Sequence, residues 1–358
     1  MRMKKAVAAI ALSSVVLSAC SDNGSSTATS ASGEAGAAGG ITIENCGQEV
    51  TYEATDDLFV NDGNIISIAL AAGAKDNIKY VSSVQRDMDI LKAKYGADVE
   101  KLNDVAKEYP SLEEVVSKQP DVFVAGWNYG FNEGKNLTPD TLKEQGIGSY
   151  ILTESCRQEG TDKRGIVDPW EAVEIDVNNL GTMTGNEDTA QKVVADQQAR
   201  LAKLKEAQQP EKAPVAFVFD SASDTIFTSG SFGAPEAIIT AAGAKNAASD
   251  IKDTWTTVGW EHLTANTPDV FVFVEYPGQE FDEKVKILKE HPTTKDLPAV
   301  KENRFINLPY AMWTSGPLNI DAAEHVRKGL EKFGLAPESD IKPQLELPES
   351  VPGKEYFQ

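Results

Sequence analysis

The strongest constraint on the fold is a pair of short motifs that occurs twice, in the same order, in the two halves of the chain. Residues 71–75 (AAGAK) precede residues 120–124 (PDVFV), and residues 241–245 (AAGAK) precede residues 268–272 (PDVFV). The first motif ends an apolar run, where glycine favours a left-handed helix C-cap. The second is typical of a strand that is buried on both faces. The repeated order predicts two similar α/β halves, although two unrelated α/β segments remain an alternative.

A long amphipathic stretch, residues 187–208, lies between the two halves. Its apolar residues recur at helical spacing among charged and amide side chains, which predicts a helix with one narrow buried stripe. Asn186 can cap the start of this helix, and Pro210 ends it. A helix of about 20 residues spans about 30 Å, so residues 181–210 are assigned as a rigid interlobe connection. The predicted fold class is α/β, with two Rossmann-like lobes joined by a single long backbone helix.

The first lobe is assigned to residues 41–180 and the second to residues 211–335, because together they are long enough for two cores. Alternating strands and helices in both lobes predict mainly parallel sheets. The strands are predicted at residues 41–52, 78–83, 121–125, 149–153, 214–219, 269–274 and 304–308. The helices of the lobes are predicted at residues 64–72, 87–95, 111–118, 138–145, 233–242, 259–265, 281–290 and 319–333. Residues 336–358 are rich in proline and acid and are predicted to form a flexible tail.

The amino terminus has the layout of an export signal. Residues 1–20 combine a basic head, a short apolar run and the sequence LSAC, as in secretory signal peptides. The last four of these residues resemble the bacterial lipoprotein box, which implies cleavage before Cys20 and attachment of diacylglycerol to its thiol. An ordinary signal peptide with a coincidental cysteine is the alternative. Residues 21–40 are small or polar and are predicted to form a flexible tether.

Charge and cysteine content narrow the possible partners further. The formal net charge of −21 argues against nucleic acid and against a protein that lies flat on anionic lipid, since both need basic patches. Of the three cysteines, a lipidated Cys20 leaves two in an exported chain, where disulfides persist. We therefore pair Cys46 with Cys156, with two buried free thiols as the alternative.

Candidate ligand-binding residues follow the predicted strands. Ligands of open parallel sheets bind beyond the carboxyl ends of the strands, and aromatic residues gather there in both halves, which predicts a cleft for a large, partly apolar ligand. Three arginines of the first lobe could together form a cationic pocket, although each taken singly fits a solvated surface position. The aromatic residues could instead pack under neighbouring loops. The candidates are Arg86, Trp127, Tyr129, Arg157, Arg164, Phe227, Trp255, Tyr276, Tyr310 and Trp313.

Signatures of catalysis and metal binding are scarce. The sequence has no nucleophile elbow, no phosphate-binding glycine loop and no helical pair of histidines. His262, His291 and His325 fall in or beside predicted helices, away from the strand ends. A transition-metal site usually needs two or more converging histidines or thiolates. We therefore predict neither an enzyme, nor a metal site, nor a bound cofactor.

Several motifs resemble those of the substrate-binding proteins of ABC importers, in the class that handles iron-siderophores, haem and cobalamin. They are residues 109–113 (YPSLE) with 120–124 (PDVFV), residues 233–236 (GAPE) leading to 242–246 (AGAKN), and residues 260–261 (WE) before 268–269 (PD). The resemblance covers about residues 41–335. The chain departs from the usual pattern at residues 57–64, so the pocket residues of that loop are not transferred.

The resemblance implies a monomeric, lipid-anchored protein on the extracytoplasmic face of the membrane that delivers its ligand to an ABC permease. By motif position, Glu113 and Glu236 would dock onto permease arginines, with Glu114 as an alternate for Glu113. A ferric siderophore is the expected ligand, because its iron is already saturated and the protein then needs no metal ligands. Haem would need an axial ligand such as Tyr129, Tyr276 or Tyr310, and cobalamin mostly aromatic walls. The sequence is also compatible with another anionic cofactor as ligand, with an exported α/β enzyme and with a cell-envelope interaction protein.

Overall fold

The computed structural model describes residues 40–358, which begin with a β-hairpin. Strand β1 (Ile41–Asn45) pairs antiparallel with β2 (Gln48–Tyr52). Both turn residues have left-handed backbone angles, with φ of 52° at Cys46 and 73° at Gly47, as a two-residue hairpin turn requires. The single strand predicted over residues 41–52 is therefore wrong. The predicted signal peptide, the lipidated Cys20 and residues 21–39 of the tether lie outside the described residues.

The first lobe is built on a parallel sheet. Its strands are β3 (Leu58–Asn61), β4 (Ile78–Ser82), β5 (Asp104–Ala106), β6 (Val122–Trp127), the short β7 (Gly130–Phe131) and β8 (Gly148–Ile151). The spatial order is β5-β4-β3-β6, with β8 and β7 both pairing with β6, and every pair is parallel. The helices are α1 (Gly63–Ala71), α2 (Met88–Tyr95), α3 (Leu112–Lys118) and α4 (Pro139–Glu144). Short 3₁₀ turns occupy Ala74–Asn77, Gln85–Asp87, Ala97–Lys101, Glu133–Lys135 and Thr153–Ser155.

Two consecutive helices connect the lobes. Helix α5 (Pro169–Met183) was not predicted, whereas α6 (Glu187–Glu206) matches the predicted long helix to within two residues. At its start, Asn186 lies against Gly73 of the first lobe, and just beyond its end Gln209 lies against Gly243 of the second lobe. Helix α6 therefore runs from one lobe to the other, with α5 packed alongside it.

The second lobe contains a parallel sheet and a small antiparallel one. The strands are β9 (Val215–Phe219), β10 (Ser221–Ala222), β11 (Ile226–Ser229), β12 (Lys245–Asn246), β13 (Trp255–Val258), β14 (Val270–Glu275) and β15 (Phe305–Pro309). The parallel sheet has the order β12-β9-β14-β15, and the antiparallel sheet has the order β10-β11-β13. The helices are α7 (Ala234–Ala241), α8 (His262–Ala265), α9 (Phe281–Glu290), α10 (Pro298–Lys301), α11 (Tyr310–Trp313), α12 (Asn319–Lys332) and α13 (Lys354–Phe357).

The duplicated motifs adopt the same local structure in both lobes, which confirms the predicted fold class. Gly73 and Gly243 follow α1 and α7 with φ of 87° and 93°. The Asp121 carboxylate accepts backbone N–H groups at the start of β3, at 2.9 Å from Asp57 N. The Asp269 carboxylate does the same at the start of β9, at 2.8 Å from Val215 N. In each lobe the motif aspartate therefore fixes the register of the first two central strands.

The two sheets share one hydrophobic core. Phenylalanines of the central strands point to an outer core in each lobe, and the alternating aliphatic residues point to the opposite face. Those aliphatic residues, such as Val60 and Val124 of the first lobe and Val218 and Val272 of the second, belong to one continuous buried cluster. The lobes are therefore packed on a common core that includes parts of α5 and α6.

The segment after α12 packs against the protein, so the flexible tail predicted for residues 336–358 is wrong. Leu345, Leu347, Val351 and Phe357 are buried in it. The Ser350 hydroxyl also lies 2.6 Å from the Asp89 carboxylate of the first lobe. The composition is rich in proline and acid, but four spaced apolar side chains provide enough buried surface to fix the segment.

A disulfide joins Cys46 to Cys156, across 110 residues of sequence. It ties the turn of the β1–β2 hairpin to the segment that follows β8. The Asn45 side chain adds two hydrogen bonds to the backbone of Ile151, at 2.7 and 2.9 Å. The hairpin is therefore held against the edge of the first sheet both covalently and by hydrogen bonds.

Candidate functional site

A cleft of about 770 Å³ lies between the lobes, at the carboxyl ends of the central strands. Its size is within the range of small-molecule sites. The first lobe lines it with Tyr109, Asn128, Tyr129 and Arg164. The second lobe lines it with Asp220, Ser221, Ala222, Ser223, Thr225, Phe227, Trp255, Thr257, Tyr276, Pro277, Gly278, Gln279, Lys284 and Tyr310. Of the ten predicted ligand-binding residues, the cleft therefore brings together Tyr129, Arg164, Phe227, Trp255, Tyr276 and Tyr310.

Arg86 lies behind the tyrosines of the cleft. Its guanidinium carbon is 4.5 Å from the ring centroid of Tyr310, 5.1 Å from that of Tyr276 and 5.6 Å from that of Tyr109. It forms an ion pair with the fully buried Asp62. The Tyr109 and Tyr310 hydroxyls donate to the same carboxylate at 2.7 and 3.1 Å. The charge of Arg86 is thereby neutralised within the protein.

A second buried acid, Asp87, joins this network to the other lobe. Its carboxylate accepts the backbone N–H of Ala311 at 2.9 Å, and the nearest Arg86 nitrogen is 3.6 Å away. Burial raises the pKa of Asp87 to about 7, although the Arg86 charge opposes this shift. The floor of the cleft is therefore an interlobe network whose protonation can change near neutral pH.

The three arginines predicted to form a cationic pocket do not converge, so that prediction is wrong. Arg157 stacks on Trp127, with 3.8 Å from its guanidinium carbon to the ring centroid, and pairs with Glu133 at 2.7 Å, outside the cleft. Arg164 lines the cleft and donates to the carbonyl groups of Trp127 and Trp255, at 3.3 and 2.8 Å. Each arginine contacts an acceptor close to it in the fold, and the residue type alone does not predict which acceptor that is.

The hydrogen bond from Arg164 to Trp255 joins the two lobes, and Glu154 forms a second interlobe hydrogen bond nearby. The buried Glu154 carboxylate accepts the backbone N–H of Ala234 at 2.8 Å, at the start of α7, where a negative charge is favoured. Burial raises the pKa of Glu154 to about 7, partly offset by this hydrogen bond and by the charge of Arg164. One side of the cleft is thus closed by polar contacts between lobes.

The second-lobe wall is mainly aromatic. Phe227 and Trp255 stack with ring centroids 5.9 Å apart, and Tyr276 and Tyr310 are 5.1 Å apart. The indole nitrogen of Trp255 is buried and has no acceptor among residues 40–358. The surface that this wall offers to a ligand is therefore mainly flat and apolar.

Trp313 does not reach the cleft, which corrects the prediction for this residue. It is 0% exposed, and its indole nitrogen donates to the Phe273 carbonyl at 2.8 Å. Tyr310 and Trp313 both belong to the short helix α11 that follows β15, but only Tyr310 of the two lines the cleft. The strand-end rule locates the segment and does not specify which of its side chains reaches the ligand space.

Several site residues were missed by the sequence analysis. Asp220 directly follows β9, so the strand-end rule could have identified it. Tyr109 lies within the YPSLE motif, which was read only for its docking glutamate. Lys284 lies in the middle of the amphipathic helix α9, and no local signal separates it from the surface lysines beside it.

The two predicted docking glutamates differ in exposure. Glu113 and Glu114 are exposed in the first turn of α3, where Ser111 and Glu114 form a reciprocal capping box. Glu236 lies in the first turn of α7 and is half-buried, and one of its carboxylate oxygens has no partner among residues 40–358. Burial raises the pKa of Glu236, with a hydrogen bond from Asn246 opposing the shift.

Within residues 40–358, no group of three or more histidine, cysteine, aspartate or glutamate side chains is placed to hold a metal ion. In the same part of the chain, no helix combines the length and apolarity needed to cross a bilayer.

The sequence profile of the periplasmic binding proteins matches residues 62–311. The chain belongs to this family. Its members are extracytoplasmic solute-binding proteins of ABC transporters and not enzymes, which confirms the resemblance seen in the sequence motifs. No curated protein matches the chain.

Solved structures of other periplasmic binding proteins share the fold. A periplasmic binding protein of Veillonella parvula is 21% identical, with a TM-score of 0.69, and the match covers 83% of this chain and 99% of that one. A protein of the ABC-type Fe3+-hydroxamate transport system of Saccharomonospora viridis is 20% identical, with a TM-score of 0.68, covering 81% and 98%. A periplasmic haem-binding protein of Pseudomonas aeruginosa is 17% identical, with a TM-score of 0.60, covering 82% and 96%.

Proposed function

We propose that this binding protein captures a ferric siderophore in the interlobe cleft and delivers it to an ABC permease. The observation that carries the proposal is the lining of the cleft. Its walls are mostly aromatic rings, hydroxyls and amides, which suit the organic shell of a chelate. The iron of such a ligand is already coordinated, so binding needs no protein-derived metal ligands.

The charges around the cleft favour a chelate of low net charge over a highly anionic one. Arg86 is neutralised by Asp62, and Arg157 pairs with Glu133 outside the cleft. Arg164 and Lys284 are the cationic side chains in the lining, and Asp220 opposes them. A ferric hydroxamate, in which three monoanionic groups balance the iron, fits this arrangement. The structural likeness to a protein of an Fe3+-hydroxamate system supports the same ligand class.

Haem is the second candidate, and one tyrosine favours it. The hydroxyls of Tyr109 and Tyr310 are used by Asp62, and that of Tyr129 faces Glu154 at 3.4 Å. Tyr276 is half-buried in the cleft and its hydroxyl makes no hydrogen bond within residues 40–358. It is therefore the tyrosine to bind haem iron. Cobalamin would use the aromatic walls alone.

A lipid anchor and two glutamates would bring the protein to its permease. Lipidation at Cys20 would hold the monomeric protein on the extracytoplasmic face of the membrane. Glu113 of the first lobe and Glu236 of the second would contact arginines of the permease. Replacing both glutamates by alanine should abolish uptake and leave ligand affinity unchanged, whereas a large loss of affinity would argue against docking.

Tryptophan fluorescence tests the ligand class, because Trp255 lines the cleft. We expect ferric hydroxamates to quench the emission of the purified protein in a saturable manner, and Trp255→Phe to remove most of the quenching. Trp127→Phe is the matched control, since Trp127 is stacked under Arg157 outside the cleft. The proposed ligand would be haem instead of a siderophore if two results were obtained. Hydroxamate, catecholate and carboxylate chelates would all leave the fluorescence unquenched, and haemin would bind saturably in a way that Tyr276→Phe abolishes.

A further inference from the structure

One carboxylate of the cleft, that of Asp220, forms no close ion pair, and the charge of Lys284 offsets its burial only in part. Asp220 follows β9 and is 8% exposed, and it lines the cleft. Within residues 40–358, no lysine, arginine or histidine nitrogen lies within 4 Å of its carboxylate. A carboxylate buried to this degree is costly unless a charge or hydrogen bonds compensate it. Its open side faces the ligand space.

The charges around Asp220 have an excess of negative sign. Lys284 is completely buried, and its ammonium donates to the Val274 carbonyl. Burial lowers the pKa of Lys284, and the charges of Asp220, Glu275, Glu280 and Glu283 oppose that shift. The charges of four carboxylates thus act on this one ammonium group. An anionic ligand group at this wall would meet a repulsive field, whereas a cationic one would be attracted.

Aromatic residues line the cleft together with Asp220, among them Phe227 and Tyr276. The backbone N–H of Asp220 donates to the Phe227 carbonyl at 3.1 Å, which places β11 alongside it. Tyr276 is close enough for the Asp220 charge to contribute to raising its pKa, after burial as the largest cause. A carboxylate beside aromatic faces is an arrangement that binds organic cations.

The opposite wall contributes a cation. Arg164 of the first lobe lines the cleft, and its nearest carboxylate, Asp253, is 4.0 Å away. The lining therefore has the cation Arg164 on the first-lobe side, and on the second-lobe side the carboxylate Asp220 beside the buried Lys284. A ligand with a charged arm would bind in one orientation only.

We propose that Asp220 forms an ammonium-binding subsite, so that the preferred ligand carries a primary ammonium arm that reaches the second-lobe wall. This inference rests on the proposed function, in which the body of the ligand is a ferric chelate. The ammonium group would donate to the Asp220 carboxylate and lie against Tyr276 and Phe227. The chelate oxygens would face Arg164.

Three ferric chelates that differ only in one terminal group test the subsite. Ferrioxamine B ends in an ammonium group, its N-acetyl derivative is neutral there, and its N-succinyl derivative carries a carboxylate. At 0.15 M salt, where exposed charges are screened beyond about 8 Å, we expect the unmodified protein to prefer the ammonium form over the acetyl form by about tenfold, equivalent to about 1.4 kcal/mol. The succinyl form should bind most weakly.

Asp220→Asn should remove this preference. Asp224→Asn is the matched control, because it removes the same charge from an exposed position four residues away that does not line the cleft, and it should retain the preference. Equal affinity of the unmodified protein for the three chelates would overturn the subsite and leave the siderophore function intact. Failure of all three to bind would overturn the ferric hydroxamate as the ligand, and the subsite with it. The affinities of the unmodified protein for the three chelates test the subsite even if the Asp220 variant does not fold.

Discussion

The two lobes share a local plan and differ in how each sheet is closed at its edge. In both, a positive-φ glycine follows a central helix, and a motif aspartate ties the first two central strands together. In the first lobe, the edge strand β8 is covered by the β1–β2 hairpin, through Asn45 and the disulfide. In the second lobe, the edge strand β15 is covered by α13 from the carboxyl terminus. The repeated part sets the frame, and the β1–β2 hairpin before it and α13 after it each cover one edge of a sheet.

The largest effect is expected from removing the disulfide that holds the hairpin against the first lobe. Replacing Cys46 and Cys156 by alanine should lower the free energy of unfolding by about 4–5 kcal/mol, because the bridge closes a loop of more than 100 residues in the unfolded chain. Chemical denaturation of the oxidised, reduced and doubly substituted proteins measures this. A change below about 1 kcal/mol would mean that the hairpin is held by its hydrogen bonds alone.

Removing the cover of the second-lobe sheet edge should affect association more than stability. Deleting residues 354–358 removes α13 and uncovers the edge of β15, so we expect concentration-dependent association before any large loss of stability. Light scattering at increasing protein concentration detects this, with the Cys46 and Cys156 double variant as the comparison.

A second test separates the core of the second lobe from its cleft wall. Trp313→Ala should cost about 3–5 kcal/mol of unfolding free energy, because it leaves a large cavity and removes the hydrogen bond to the Phe273 carbonyl. Trp255→Ala should cost less, since one side of that ring already borders the cleft, and it should weaken ligand binding instead. Equal stability of the two variants would contradict the core position of Trp313.

The equivalent glycines give a matched pair of smaller effects. Gly73→Ala and Gly243→Ala should each cost about 1–2 kcal/mol from the left-handed backbone. The second should cost more, because the new Cβ would lie 2.6 Å from the Gln209 side-chain oxygen, against 3.2 Å from the nearest Asn186 atom at Gly73. Gly146→Ala is the control for backbone strain alone, since its φ is 75° and nothing lies within 4 Å of the added atom.

The last prediction concerns pH and three buried carboxyl groups. Burial raises the pKa values of Asp87, Glu154 and Asp176 to about 7. Since the folded protein holds these protons more tightly than the unfolded chain, their contribution to stability is complete below about pH 4 and is lost as the pH rises through about 7. Asp176→Asn should reduce the decline by at most about 1.4 kcal/mol per pH unit. The exposed Asp188→Asn should leave the slope of stability against pH unchanged, and an identical slope for Asp176→Asn would contradict the assignment.

The sequence predicted the frame of the molecule well because its signals are local. Helix α9 begins and ends at the predicted residues, and α6 does so to within two residues. The hairpin was missed because its turn places a cysteine, Cys46, in the left-handed region, which few non-glycine residues adopt. Helix α5 was missed because its interior contains Asn178, Asn179 and Gly181, which are weak helix formers that tertiary packing overrides.

The site was predicted less completely than the frame, for a physical reason. Strand ends located Tyr129, Tyr276 and Tyr310 correctly at the cleft, since parallel strands share a carboxyl edge. The sequence did not reveal which acceptor each arginine would choose, so Arg86 and Arg157 were misplaced. Such choices depend on pairs that are distant in the chain, such as Arg164 with Trp255.

The continuous core beneath both lobes has a consequence for selectivity. A receptor whose halves cannot separate without exposing apolar surface has little freedom to adapt its shape to different guests. We therefore expect X-ray scattering curves with and without ligand to superimpose, in contrast to receptors that close by a hinge. Recognition would then depend on a preformed cleft. A chelate of the wrong shape would not bind, and a chelate that fits would leave the surface that contacts the permease unchanged.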